Sequence, residues 1–149
     1  MQFVRISLLL LVAVMVFASP AAGDPAFVAD GVTVSPTKVH FGTVQLGTCS
    51  LFDTAGCTVR TLSVTNTSET PLFFAGAGIN VVGVGLGLGF DNNGTCFYLP
   101  DHLVQPGQSC SVILSAGYGG PEGPQKDYLV LFGGATTIAR IPVYIRLVS

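Results

Sequence analysis

The segment that most restricts how this chain folds runs from Cys96 to Cys110. Two half-cysteines bracket a Gln105-Pro106-Gly107-Gln108 turn, and the second opens directly into Ser111-Val112-Ile113-Leu114, an apolar run bounded by turn residues. A bond between Cys96 and Cys110 closes a loop of about 15 residues, worth on the order of 3 kcal/mol through the unfolded-chain entropy it removes. The other segments are expected to pack as strands around this stapled corner.

Half-cystines require an oxidising compartment, and the start of the chain points to one. Met1-Gln2-Phe3-Val4-Arg5 is a short basic start, Ile6 to Ala18 is an apolar core, and Ser19-Pro20-Ala21-Ala22-Gly23 supplies the small residues a signal peptidase needs. A membrane anchor needs about 20 apolar residues, and this run stops at Pro20. Residues 1–23 are therefore expected to be a secretory signal peptide, 24–30 a flexible leader and 31–149 one domain. No cysteine follows closely enough for lipidation and no second hydrophobic span appears. The product is expected to be secreted, extracellular or envelope-associated, without stable membrane insertion.

Cys49, Cys57, Cys96 and Cys110 are an even count, which in an exported chain reads as disulfides. Three pairings are open, and the local one, Cys49–Cys57 with Cys96–Cys110, is the expectation. A zinc site fits less well, because the spacings are not C-x-x-C and neither His40 nor His102 lies near a cysteine pair.

The charge balance bears on partners. Removal of residues 1–23 takes away Arg5 and no acid, leaving five bases (Lys38, Arg60, Lys126, Arg140, Arg146) against eight acids. No basic cluster occurs along the sequence, which argues against nucleic acid or anionic lipid.

Period-two patterning dominates the rest. Val39 and Phe41 share a face with His40 opposite, and Leu62, Val64 and Asn66 share another with Thr61, Ser63 and Thr65 opposite. From Val82 to Phe90 apolar residues alternate with Gly83, Gly85, Gly87 and Gly89, a strand able to lie against a neighbouring backbone or pair at an edge. Tyr128–Phe132 and Ile138–Leu147 form a natural hairpin about Gly133-Gly134. In its second arm Ile141, Val143, Ile145 and Leu147 face one way, and Arg140, Tyr144 and Arg146 the other. Pro142 lacks a ladder donor and suggests a sheet edge. No helical apolar stripe is present. The pattern reads as an all-β sandwich, expected to hold about seven to nine antiparallel strands.

Val34-Ser35-Pro36, Val39 to Gly47, Leu62 to Ser68, Cys96 with Leu99, and Pro106 to Val112 together resemble the ASPM-SPD-2-Hydin type of immunoglobulin-like domain and its bacterial choice-of-anchor D relatives. The resemblance spans nearly the whole of residues 31–149. Ser115 to Gly120 replaces the family's Phe-x-Pro, Ile145 to Ser149 replaces its closing Leu-x-Gly, and the Cys49–Cys57 insertion is outside the pattern. The resemblance implies an interaction or scaffolding role and carries over no catalytic residue.

The residues themselves show no G-x-S-x-G elbow, P-loop, dinucleotide fingerprint or metal-ligand cluster, so no enzyme activity and no cofactor is expected. The expected function is a secreted, non-catalytic module that binds a protein or an envelope component. The alternative is a carbohydrate-binding sandwich, which in a chain with no Trp would rely on Tyr98, Tyr118 and Tyr144. Candidate partner contacts are Tyr118 and Glu122 in the Gly/Pro-rich loop, Val84 and Leu86 in the glycine-alternating strand, and Tyr144 beside Pro142. Asn66-Thr67-Ser68 and Asn93-Gly94-Thr95 match the glycosylation pattern.

Overall fold

A computed structural model describes residues 26–49, 56–80, 88–91 and 94–149. In chain order the strands are β1 (Phe27–Val28), β2 (Val32–Ser35), β3 (Val39–Gln45), β4 (Thr58–Asn66), β5 (Leu72–Phe73), β6 (Gly76–Asn80), β7 (Leu88–Asp91), β8 (Leu103–Val104), β9 (Ser109–Ala116), β10 (Gly123–Gly133) and β11 (Thr136–Val148). Eight of these have four or more residues, within the expected range, and the other three are two-residue pairings. Among the described residues no helix is long and apolar enough to cross a membrane.

Two sheets face each other. The larger runs β1-β11-β10-β6 with β3 also on β11, and the smaller runs β2-β4-β9-β7. Pairing is antiparallel except for β3, which runs parallel to β11. The chain crosses from β2 in one sheet to β3 in the other through a cis Ser35–Pro36 peptide. Phe27–Val28, in the stretch expected as a flexible leader, pair with Arg140 and Ala139 instead. There they cover the part of β11 that β3 does not reach.

The last strand is not the edge that Pro142 suggests. β11 has β10 along one side, and β1 and then β3 along the other. Pro142 falls between Arg140, the last residue paired with β1, and Val143, the first paired with β3. The position tolerates proline because the ladder on that side is interrupted there.

The inner faces supply the core. Ile141, Val143, Ile145 and Leu147 of β11 and Leu129 and Leu131 of β10 meet Leu62, Val64, Val112 and Leu114 of the smaller sheet, all buried. In β3 strict alternation would turn Val44 outward. A bulge at Phe41–Gly42, with Gly42 at φ 75°, inserts one residue against β11, so Val39, Phe41 and Val44 all point inward. Glycine takes that backbone conformation without a Cβ clash.

Both disulfides take the local pairing, Cys49–Cys57 and Cys96–Cys110. The second fastens the short 3-10 turn Thr95–Tyr98 to β9, with both cysteines buried. Ser111 N–H donates to Thr95 Oγ1 at 2.8 Å and Thr95 N–H to Ser111 Oγ at 3.1 Å, so the staple is doubled by hydrogen bonds. In the Pro-Gly turn Gln108 N–H donates to Gln105 C=O, and Gly107 sits at φ 74°. Gly after Pro in this conformation makes a type II turn.

That turn docks on Asn66. Gly107 N–H donates to the Asn66 carbonyl and Asn66 N–H to the Gln108 carbonyl. The Asn66 side chain is fully buried: Nδ2 donates to Thr70 C=O and Val104 C=O, both at 2.8 Å, while Oδ1 accepts from Ser68 N–H and Ser68 Oγ–H. The asparagine of the first glycosylation match is thus a structural hub with its amide nitrogen fully engaged. A buried amide removed from such a site costs roughly 1 kcal/mol per bond, and the stranded partners add to it. Asn66→Ala is expected to lower unfolding stability by about 3 kcal/mol in urea titration, whereas Thr67→Ala, next to it and exposed, should stay within about 0.5 kcal/mol.

Candidate functional site

The outward positions of the larger sheet carry an alternating series of rings and cations. His40 of β3 pairs with Tyr144 of β11, and Tyr144 with Lys126 of β10, so the three stand in one row. The His40 and Tyr144 rings stack at 4.8 Å with 10° between planes. Lys126 Nζ lies 5.6 Å from the Tyr144 centroid and 5.4 Å from that of Tyr128, two residues along its own strand. On the far side of Tyr128 in sequence register, the Arg140 guanidinium lies 4.3 Å from the same ring centroid. One tyrosine thus draws two cations toward itself, each contact worth about 0.5–1 kcal/mol at an exposed site.

Beyond Arg140 the face becomes a groove of about 390 Å³. Phe27, Arg140, Val130 and Gly78 form one row across β1, β11, β10 and β6. Phe132 lies close over Gly78, where a Cβ would meet its ring at 3.1 Å, so the small residue lets the ring settle on the strand. Phe27 and Phe132 remain exposed at 42% and 36%. At the opposite end of the band a shallower hollow of about 320 Å³ is lined by His40, Tyr144, Pro124 and Arg146.

Strand position explains why the band holds its shape. Arg60 of β4 donates from Nε to His40 C=O at 2.9 Å and from an Nη to Phe41 C=O at 3.3 Å, tying the smaller sheet to the strand that presents His40. No acidic residue occupies an outward position of β1, β3, β10 or β11. Asp127, between Lys126 and Tyr128, alternates to the inner side and is 4% exposed. Burial pushes its carboxyl above the usual value of 3.8, against the smaller opposing effects of the Tyr128 N–H bond and the Arg140 charge. The face is therefore cationic although the chain as a whole is acidic, at net charge −2.

Among the described residues, those singled out from sequence do not form one site. Tyr144 lies in the band. Tyr118, in the β9–β10 connection, turns back so that its hydroxyl lies 3.0 Å from Ser115 Oγ on the smaller sheet. Glu122 is exposed just before β10. Tyr98 projects from its own 3-10 turn, 69% exposed. Val84 and Leu86 lie outside the described residues. His40, Lys126, Tyr128 and Arg140 were not among the candidates, because alternation shows which way a residue points but not which residue stands beside it on the next strand.

No family model and no curated protein matches the sequence. Among solved structures, the secreted serine protease VesC from Vibrio cholerae superposes with a TM-score of 0.51 at 17% identity, over 78% of this chain and 22% of that one. A protein of unknown function from Porphyromonas gingivalis W83 aligns with a TM-score of 0.44 at 12% identity, over 78% of this chain and 46% of that one. This chain thus spans about a fifth of the protease, and the likeness to it is one of fold.

The Asp127 shift has a consequence for stability. A carboxyl whose folded pKa is raised holds its proton longer in the folded state, so stability falls as pH rises from 3.8 through the folded value. Asp127→Asn retains an oxygen for the Tyr128 N–H and removes the buried charge. It is expected to raise the melting temperature at pH 7, with the gain shrinking as pH falls toward 4, read by calorimetry across that range.

Proposed function

We propose that this chain is a secreted, non-catalytic immunoglobulin-like module that binds another polypeptide through the outer face of its larger sheet. The observation that carries this reading is the His40–Tyr144–Lys126–Tyr128–Arg140 series, which continues into the Phe27–Phe132 groove. Aromatic residues and arginine are the side chains most enriched where proteins bind one another. Export agrees with the signal-like start and with two disulfides, which persist in oxidising surroundings. The resemblance to ASPM-SPD-2-Hydin domains supports the same role.

Sugar binding has less support. A carbohydrate platform needs exposed ring faces in one plane, but Tyr98, Tyr118 and Tyr144 stand on three separate elements. Within the band, His40 covers Tyr144, and Arg140 lies against Tyr128.

The test is capture of partners from envelope extract by the oxidised, full exported protein. A polypeptide retained by the wild type and lost with Lys126→Glu combined with Tyr144→Ala is the expected result. Retention of that polypeptide by the doubly substituted protein, or retention of polysaccharide alone, would refute it.

A further inference from the structure

We infer that the partner segment is an acidic polypeptide carrying a bulky apolar residue beside its carboxylates; this rests on the reading of the outer face as a binding surface. Two features select that chemistry. The first is charge. Lys126, Arg140 and Arg146 all stand at outward positions of β10 and β11, with no outward acid on those strands or on β1 and β3. Three of the five bases beyond the signal-like start thus share one face of a chain that is acidic overall. The rings already fix two of these cations in place, so less side-chain freedom is lost when an anion arrives.

The second feature is the groove next to Arg140. Its floor is Val130 and Gly78 and its walls are Phe27 and Phe132. Its volume, about 390 Å³, is ample for one aromatic or large aliphatic side chain. Arg140 lines both this groove and the cationic row, so an apolar side chain seated there brings its flanking carboxylates to the guanidinium. Along β10, Lys126 stands four residues from Val130, or about 13 Å at strand spacing. An extended acidic segment that anchors one side chain in the groove reaches Lys126 with a carboxylate about four residues away. An anionic polysaccharide would satisfy the cations but has no side chain for the groove.

The experiment uses the oxidised full exported protein and fluorescent peptides read by anisotropy. One probe places phenylalanine between aspartates and glutamates; a second has alanine instead, and a third replaces every acid with lysine. Unlabelled polygalacturonate serves as the polysaccharide competitor. The phenylalanine probe is expected to bind about tenfold more tightly than the alanine probe and to weaken several-fold between 50 and 200 mM salt, with no binding of the lysine probe. Arg140→Gln and Lys126→Gln should each weaken it roughly fivefold. Phe27→Ser, at an exposed strand-end position, should abolish the preference for phenylalanine over alanine while leaving the salt dependence. Equal binding of acidic and basic probes, no binding of either, or binding of polygalacturonate alone would overturn the inference. If the polypeptide captured from envelope extract still depends on Lys126 and Tyr144 while every acidic probe fails, the binding face stands and only the acidic partner is wrong.

Discussion

The outer face depends on one register, the pairing of β10 with β11. Gly134 and Ala135, one residue beyond the expected Gly133-Gly134, close that hairpin, and the pairing sets Lys126 against Tyr144, Tyr128 against Pro142 and Val130 against Arg140. A slip of one residue would turn Ile141, Val143, Ile145 and Leu147 to solvent and bring Arg140 and Tyr144 into the core. Each of those four aliphatic side chains contributes about 2 kcal/mol by burial, against about 0.5–1 kcal/mol for each ring–cation contact outside. Core burial therefore sets the register, and the band of rings and cations follows from it.

The sheet that packs against the hairpin has fastenings of its own. The Cys96–Cys110 bridge and the Asn66 hub both act on the smaller sheet: the bridge ties a 3-10 turn to β9, and the hub joins β4 to the Pro-Gly turn and to Val104. Arg60 then connects that sheet to β3, directly beneath His40. Support of this kind bears on the proposed role, because a surface already held in one arrangement loses less freedom on binding.

Much of this was legible in the sequence, and the reasons for the remainder are physical. Alternation from Ile141 to Leu147 assigned the two faces of β11 correctly, because period two is a local property. The local cysteine pairing, expected among three left open, is the one the structure has. Pro142 misled because proline marks a missing ladder bond, and an interrupted neighbour provides the same vacancy as an edge. Val44 reaches the core only through the bulge at Gly42, which shifts the period by one. Alternation put Asn66 on the face of Leu62 and Val64 and the glycosylation pattern also matched there, but its role as a hub depends on Ser68, Thr70 and Val104, the last far along the chain. Of the described residues chosen for partner contact, Tyr144 lies in the band and Tyr118 and Glu122 do not. The Tyr144 neighbour His40 comes from β3, a strand remote in sequence, and Lys126 comes from the other arm of the hairpin, where facing the right residue depends on the exact register across the turn.

The central claim is that the outer face of the larger sheet is where this protein meets another polypeptide. Amide chemical-shift mapping of the isotopically labelled, oxidised protein on addition of its captured partner addresses it most directly. Shifts concentrated on Lys126, Tyr128, Arg140, Tyr144 and their strand neighbours are the predicted result. Shifts confined to the Tyr118–Glu122 connection or to β4 and β9 would contradict it.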